Sequence, residues 1–170
     1  GVTNVIGVAE VHYWHGYDRF VKGLGEYYQN GGTRDIVFHI VGEIGNEIME
    51  GNDNAEGLRP LIEKYGLENR VIMHGALYGY DLDEVFNQCS FAVASLARHR
   101  SGITNIKTLK NREYAARGFA FLYSETDSDF DGKPYIFKVS PDESIIDIEK
   151  PDTYEKRPPI AGMFCVLASR

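Results

Sequence analysis

Short apolar runs recur along the chain, and amphipathic stretches with the period of a helix separate them. The runs are apolar at consecutive positions, which is typical of strands that are buried on both faces. Strands of this kind in alternation with helices predict an α/β fold, namely a doubly wound parallel sheet of the Rossmann-like type. The predicted strands are Val2–Val11, Asp35–Gly42, Arg70–Leu77, Phe91–Ala97 and Phe119–Ser124, with a candidate sixth at Tyr135–Val139.

Helices are predicted between the strands, and Asp81 is predicted to cap the third of them. Beyond Val139 the pattern weakens. Ser140–Pro159 is predicted to be a peripheral excursion, and Ile160–Arg170 is predicted to be the start of a further helix. The predicted helices are Tyr17–Gly32, Ala55–Gly66, Asp81–Ser90 and a fourth that begins near Asn105 and ends at Gly118.

The fourth helix carries a carboxylate on the stripe that is predicted to face the core. That stripe consists of Ile106, Leu109, Glu113 and Ala116. A carboxylate in such a place is costly unless its oxygens accept hydrogen bonds. Glu113 therefore has either a ligand that donates to it or an ion pair with Lys110 or Arg117 on the same helix.

Composition narrows the classes of function. The chain has 170 residues, enough for one domain, with 18 basic and 25 acidic side chains and a formal net charge of −7. This balance disfavours nucleic acid as a partner but allows a local site for a small anion. Cys89 and Cys165 form no zinc-type pair, which favours a cytoplasmic setting. The chain begins within a strand pattern, so we expect a fragment of a longer protein.

Familiar catalytic and metal motifs are missing from the turns where they would be expected. The first strand-to-helix turn, Glu10–Gly16, lacks the glycines of a dinucleotide fingerprint, and there is no P-loop and no nucleophile elbow. Asp127–Lys138 matches the first half of a calcium loop, but its twelfth position is a lysine instead of a glutamate. His12 and His15 lie in a loop without a third ligand nearby. No metal site is predicted.

Four stretches, in order, resemble the C-terminal, nucleotide-sugar-binding domain of GT-B-fold glycosyltransferases of the retaining, family-four type. The resemblance runs from about Val5 to Ser124. Ligands of such sheets bind beyond the carboxyl ends of the strands, where these stretches place their loops. The stretches are WHGYDRFVKGL (Trp14–Leu24), HIVGEIG (His39–Gly45), Leu67–Leu96 and SGITNIKTLKNREYAARGFAFLYS (Ser101–Ser124).

The resemblance implies a role for Glu113, whose carboxylate would accept hydrogen bonds from the donor ribose; the ion pair on its own helix is the alternative. It also implies that backbone amides of the loop before the helix face the donor diphosphate, and that nearby lysines neutralise it. For the glycines the alternative is an ordinary turn, and for the lysines it is plain solvation. The implied donor-binding residues besides Glu113 are Gly16, Gly42, Gly45, Tyr78 near the base, Ser101, Gly102, Ile103, Lys107 and Lys110.

The chain departs from the family pattern at three points. The family's phosphate-facing arginine and lysine correspond to Ala9 and His15, so His15, if protonated, is the candidate catalytic residue. Asn105 stands where the first of two paired glutamates is expected. The acceptor-binding half of a GT-B enzyme has no counterpart in residues 1–170, which we predict to be a single donor-binding domain.

The function implied by the resemblance is the donor-binding half of a retaining glycosyltransferase that acts on an unknown acceptor. Its substrate would be a nucleotide-diphosphate sugar, with no metal or other cofactor, and the isolated domain would be inactive. An N-terminal acceptor domain in cis would be its partner, in the cytoplasm and with possible peripheral association at the inner face of a membrane in polysaccharide biosynthesis. The alternatives are a catalytically inactive nucleotide-binding module and an interaction domain without a nucleotide site.

Overall fold

The computed structural model describes residues 1–149, and these form one sheet with helices on both faces. The predicted helix at Ile160–Arg170 and the second half of the predicted excursion lie outside the described residues. The six strands of the main sheet are all parallel and follow the order β5-β2-β1-β6-β7-β8. The strands are β1 (Val2–Val8), β2 (Asp35–Val41), β3 (Gly51–Asn52), β4 (Ala55–Glu56), β5 (Val71–Gly75), β6 (Phe91–Val93), β7 (Ala120–Tyr123) and β8 (Ile136–Lys138).

The helices confirm the doubly wound arrangement, because they alternate with the strands and cover both faces of the sheet. The first, second and third pack with the hydrophobic cluster around Phe38 and Leu61, and the last two pack with the cluster around Phe121. Short 3-10 turns at Tyr13–His15 and Arg98–Ser101 follow β1 and β6. The helices are α1 (Tyr17–Gln29), α2 (Asn46–Glu50), α3 (Leu58–Tyr65), α4 (Gly79–Gln88) and α5 (Leu109–Ala116).

Several predicted boundaries are corrected by the structure. Strand β1 ends at Val8, although Val11 still forms one bridge to Ile44. The loop after β2 contains α2, and helix α3 starts later than predicted because Ala55–Glu56 pairs with β3 in a hairpin.

The predicted cap of the third helix is wrong. Helix α4 begins at Gly79, and its cap position is Tyr78, which has extended backbone angles and no side-chain capping bond. Asp81 lies within the first turn instead, where its negative charge favours the positive end of the helix dipole.

The predicted core-facing stripe of the fourth helix is also wrong. Helix α5 starts at Leu109, and its buried residues are Asn111, Tyr114 and Ala115. Leu109 is 87% exposed, and Glu113 lies on the outer side. The buried side is fixed by the Tyr114 hydroxyl, which donates to the Val93 carbonyl (2.9 Å) and accepts from the Val8 amide (2.9 Å). These bonds to two strands outweigh the weak apolar pattern on the opposite side.

Glycines inside α1 allow other segments to approach the helix closely. A Cβ on Gly25 would lie 2.2 Å from the ring of Tyr65, and one on Gly23 would lie 2.6 Å from the carbonyl oxygen of Ile146. Ile146 and Ile148 are each 5% exposed and join the core on the α1 side. The described part of the predicted peripheral excursion is therefore packed against the core.

Candidate functional site

The strand order places the loops after β1 and β6 side by side. These strands are neighbours in the sheet, but the chain continues from β1 towards one edge and from β6 towards the other. In doubly wound sheets the crevice for a ligand lies at this switch point, beyond the carboxyl ends of the strands. The two loops are joined by backbone bonds from Leu96 to His15 (2.9 Å) and from Ala97 to Trp14 (3.1 Å).

Gly16 is the residue that allows the two loops to meet. Its φ of +65° lies in the left-handed region, and a Cβ would stand 2.8 Å from the Cβ of Ala97 and 3.0 Å from that of Leu96. A larger residue would push the loops apart and would also be strained. The structure thus gives Gly16 a packing role at the switch point, and its contact with a donor stays a prediction.

His15 is 5% exposed at the floor of this junction. Burial, followed by the charges of Lys110, Arg98 and His12, lowers its pKa to about 2. Burial therefore favours the neutral form of His15 near pH 7 in the ligand-free chain, and its role as a protonated catalytic group stays a prediction. Its Nδ1 accepts a bond from the His12 amide (2.8 Å), so the proton stands on Nε2, where it can be donated.

Two permanent or near-permanent cations share the environment of His15. Burial, and next the charge of Arg98, lowers the pKa of Lys110 to about 8. Burial also lowers the pKa of Arg98, whose guanidinium lies 5.5 Å from the centre of the Trp14 ring. Within residues 1–149, neither cation forms an ion pair, and the Arg98 Nε is buried without a hydrogen-bond partner.

Glu125 is a buried carboxylate whose negative charge acts on both of these cations. It is 1% exposed, and burial raises its pKa, whereas the Asn111 amide and the charge of Arg98 act in the opposite direction. Asn111 donates to its Oε1 (3.3 Å), and Oε2 has no partner among the described residues. One carboxylate with an elevated pKa leaves the charges of Arg98 and Lys110 incompletely balanced, so an anion would be stabilised here.

We call the two cations Arg98 and Lys110, together with the neutral His15, the cation cluster. Lys110 and His15 were predicted from the sequence, whereas Arg98 was missed. A signal for it was present, since Arg98-His99-Arg100 follows the fourth strand directly. Basic residues at the carboxyl end of a switch-point strand are placed to meet an anionic ligand.

Glu113 lies one turn beyond Lys110 on α5, and its charge counteracts the lowering of the Lys110 pKa. Its side chain is 46% exposed and accepts a bond from Arg117 Nε at 3.3 Å. The ion pair with Arg117 is thus present in the ligand-free chain. The contact with a ribose stays a prediction that is compatible with an exposed carboxylate beside the cation cluster.

The loop before α5 has its amides engaged within a turn. Gly102 and Ile103 donate to the carbonyls of His99 and Arg98, both at 3.2 Å, and the Ser101 hydroxyl donates to Arg98 (2.9 Å). These bonds hold Arg98 in place. Contact of the Gly102 and Ile103 amides with a phosphate stays a prediction, and it requires this turn to open.

The remaining predicted residues have local contacts or exposure of their own. Lys107 is paired with Asp129 (3.0 Å), and Gly45 caps α2 with open space around it. Gly42 has φ +134°, and a Cβ there would lie 1.6 Å from the Ala9 carbonyl oxygen, so the close approach of β1 and β2 requires glycine. Tyr78 is 80% exposed after β5, at the edge of the sheet two strands from β1.

The acidic turn that resembles a calcium loop is neutralised by the protein itself. Arg112 binds Asp127 (3.0 Å) and Asp129 (2.5 Å), and Lys138 binds Asp131 (3.0 Å). Across residues 1–149, no three metal-type side chains converge. These contacts favour a structural turn over a calcium site.

Comparisons with known proteins show the fold. No family model and no curated protein matches the sequence. Solved structures do match, and all three described below are glycosyltransferases with low identity to this chain. A glycosyltransferase from Rickettsia africae has a TM-score of 0.69 at 14% identity, over 96% of this chain and 40% of that one.

The C-terminal domain of the group 1 glycosyltransferase LpcC from Francisella tularensis has a TM-score of 0.64 at 12% identity, over 99% of this chain and 85% of that one. The pneumococcal O-GlcNAc transferase GtfA, solved with UDP and GlcNAc, has a TM-score of 0.62 at 16% identity, over 98% of this chain and 32% of that one. The chain thus has the fold of a GT-B glycosyltransferase C-terminal domain, as the sequence predicted.

The chain spans only about two fifths of the Rickettsia protein and 32% of the pneumococcal one. None of the helices described in residues 1–149 has the length and apolar character that a crossing of the bilayer demands.

Proposed function

We propose that this domain is the donor-binding half of a retaining glycosyltransferase and that it binds the diphosphate of a nucleotide sugar at the cation cluster. The observation that carries the proposal is a pair of half-buried cations, Arg98 and Lys110, which lie at the switch point of the sheet and form no ion pair within residues 1–149. A diphosphate supplies the negative charge that these cations lack, and it fits the place where ligands of doubly wound sheets bind.

Each member of the cluster has a distinct role in this proposal. Arg98 presents a planar guanidinium to phosphate oxygens, Lys110 adds a point charge, and His15 donates from Nε2 as a neutral group. When the bond between sugar and diphosphate breaks, negative charge develops on the leaving diphosphate. Preorganised cations in a partly dry site stabilise that charge, which is the chemistry the family's arginine and lysine would otherwise supply.

The rest of the donor would extend from the cluster towards α5. Glu113, one turn beyond Lys110, would accept hydrogen bonds from the two ribose hydroxyls after release from Arg117. Bonds to a charged acceptor contribute about 1.5–3 kcal/mol when buried and less at an exposed position such as this one. Ser101, Gly102 and Ile103 would approach the phosphates if their turn opens, and Tyr78 would approach the base only if the nucleotide reaches the sheet edge.

Calorimetry with pyrophosphate, UDP, GDP and their sugars tests the proposal directly. We expect saturable binding that is lost in Lys110→Gln and retained in the matched variant Lys107→Gln, because Lys107 is already paired with Asp129. Glu113→Ala should weaken UDP more than pyrophosphate, whereas Glu84→Ala on the exposed side of α4 should weaken neither. Absence of binding to every one of these ligands at about millimolar concentration would contradict a nucleotide site and favour an interaction domain.

A second candidate is a nucleotide-binding domain that has lost catalysis. It is favoured by Ala9 and the neutral His15, which stand where the family pattern has two cations. Donor hydrolysis by the intact protein separates the two candidates. Measurable hydrolysis in wild type supports the enzyme, whereas hydrolysis that appears only after His15→Lys supports the inactive module.

The whole protein would add an acceptor-binding half in cis and transfer the sugar with retention of configuration. We place this activity in the cytoplasm, at the inner face of a membrane if the acceptor is a lipid-linked polysaccharide precursor. The chain's low coverage of the longer matched proteins is consistent with a second half. A longer gene product with a second α/β half would support this assignment, and a different neighbouring domain would contradict it.

A further inference from the structure

The segment Ser140–Glu149, which we call the strap, crosses α1 beside the cation cluster. Its second half is anchored by Ile146 and Ile148, which are buried in the core. The Ile146 carbonyl lies against Gly23, where no larger residue would leave room. This half of the strap is held by packing against the core.

The first half of the strap is held by Arg19 of α1, which is 4% exposed. Arg19 Nη1 donates to the carbonyls of Leu96 (2.5 Å) and Ser140 (3.1 Å), and Nη2 donates to that of Ser144 (2.9 Å). One guanidinium therefore joins the strap to the loop after β6. This bonding brings the strap's acidic residues to the edge of the switch point.

Arg100 is the second guanidinium between the strap and the loops. It donates to the Tyr13 carbonyl (2.8 Å), to both carboxylate oxygens of Asp18 (2.9 and 2.7 Å) and to Glu143 on the strap (3.1 Å from Nε). The Tyr13 hydroxyl donates back to the Arg100 carbonyl (3.2 Å), and His99 also contacts Glu143. One side chain thus contacts the loop after β1, helix α1 and the strap.

We infer that Arg100 is a positioning residue for the cation cluster, and that Glu143 of the strap holds it in place. The inference rests on the proposed function. Arg98 precedes Arg100 by two residues, and His15 follows Tyr13 by two, so the Arg100–Tyr13 contact sets how far apart the two cluster residues stand. The Arg100 side chain acts on the site through the loops, by its contacts with Tyr13, Asp18 and Glu143.

The geometry favours such a role over an ordinary surface ion pair. The Arg100 and Asp18 side chains are only 13% and 20% exposed, and their pairing is bidentate. A bidentate, half-buried guanidinium is fixed in direction as well as in distance. The Arg100 and His99 side chains also hold the pKa of Glu143 at about 2, chiefly through the Arg100 hydrogen bonds, so this carboxylate stays charged at all ordinary pH values.

Trp14 offers a direct readout, because it is the single tryptophan of the chain. It lies between Tyr13 and His15, stacks on His12 with 4.3 Å between ring centres, and faces Arg98. Its emission maximum and its quenching by acrylamide in the intact 170-residue chain report the arrangement of the two loops without any ligand. Pyrophosphate and UDP titrations on the same samples then report the site.

The test compares Glu143→Gln with Glu149→Gln, which changes an exposed glutamate on the same strap. It also compares Arg100→Lys with Arg70→Lys, which changes an ion-paired arginine directly before the edge strand β5. We expect Glu143→Gln and Arg100→Lys to increase Trp14 quenching and to weaken UDP binding about threefold to tenfold, at unchanged far-ultraviolet circular dichroism. The two controls should change neither quantity. Arg100→Lys should have a larger effect than Glu143→Gln, because lysine keeps the positive charge but cannot bind both carboxylate oxygens of Asp18 as the planar guanidinium does.

The possible failures are distinguishable. If wild type binds no phosphate-containing probe, the proposed function fails, whatever Trp14 reports. If wild type binds UDP while Glu143→Gln and Arg100→Lys leave both Trp14 quenching and affinity unchanged, the positioning role is overturned and the donor site stands. A fall in affinity without any change at Trp14 also overturns it, since the effect would then not pass through the loops.

Discussion

Replacement of Lys110 by methionine should make the ligand-free domain more stable while it removes binding of phosphate. In the folded chain burial lowers the pKa of Lys110 from 10.5 to about 8. At pH values between about 8 and 10.5, the Lys110 amine is therefore mostly protonated in the unfolded state and mostly neutral in the folded state. The free energy of unfolding therefore decreases as the pH falls from about 10.5 to about 8, and the decrease is complete below that range.

The magnitude follows from the displacement of the pKa. A lowering by roughly 2.5 pH units corresponds to about 3 kcal/mol at neutral pH, and partial access of water reduces it to about 1–3 kcal/mol. Methionine has a similar length and no charge, so Lys110→Met should recover most of this free energy. Lys107→Met is the matched control, because Lys107 is exposed and solvent screens its pairing with Asp129, which therefore adds little to stability.

Urea unfolding at about pH 7 and thermal melts with and without pyrophosphate measure the effect. Binding of pyrophosphate to wild type should return the Lys110 pKa towards its ordinary value, and affinity should then fall roughly thirtyfold between about pH 7 and about pH 9.5. Lys110→Met should show neither the pyrophosphate-dependent stabilisation nor this fall. A variant that is less stable than wild type, or a wild type whose affinity does not change with pH, would refute the reasoning.

Three further outcomes test other parts of the structure. His39 and His74 form a hydrogen-bonded pair (2.9 Å) whose pKa values are both lowered by burial, so unfolding experiments should show stability that is constant above about pH 6.5 and lost below it, because the unfolded chain takes up protons first; a flat profile would contradict this. Gly42→Ala should cost at least ~2 kcal/mol in urea unfolding, since its Cβ would overlap the backbone at Ala9 and its φ is +134°; a neutral result would mean that the strand ends can separate. Tyr114→Phe should cost ~1–3 kcal/mol by the same measurement, because two strands lose the hydroxyl that joins them, and a cost near zero would show that the chain relaxes around phenylalanine.

Local pattern was sufficient for the class of fold. Strand Asp35–Val41 is mostly apolar on both faces, which is typical of a parallel sheet covered on both sides, and the stripe of Phe20 and Leu24 packs in the core beside that sheet. Both properties depend on residues close together in the chain. For the same reason the loops that end at the carboxyl edge, with His15 and Lys110 on or near them, are recognisable as candidates from the order of strands and helices along the chain.

The environment of individual side chains was decided by tertiary contacts. The helical pattern placed Glu113 towards the core, but bonds from Tyr114 to β1 and β6 turn the other side of α5 inward. His15 reads as a replacement cation, yet burial beside Lys110 and Arg98 leaves it neutral. Contacts with distant strands set the orientation of Glu113, and burial with the charges of distant residues sets the protonation of His15. A short stretch of sequence contains neither kind of information.

By itself, the sequence determined an alternating sheet-and-helix domain with a ligand edge, since periodicity and turn residues act locally. Only the tertiary structure decided that Arg98 and Lys110 come together without an ion pair among residues 1–149, and that the strap reaches across to Arg100. Charges interact over distances in space, so residues that are far apart in the chain acquire their chemistry only when the fold brings them together.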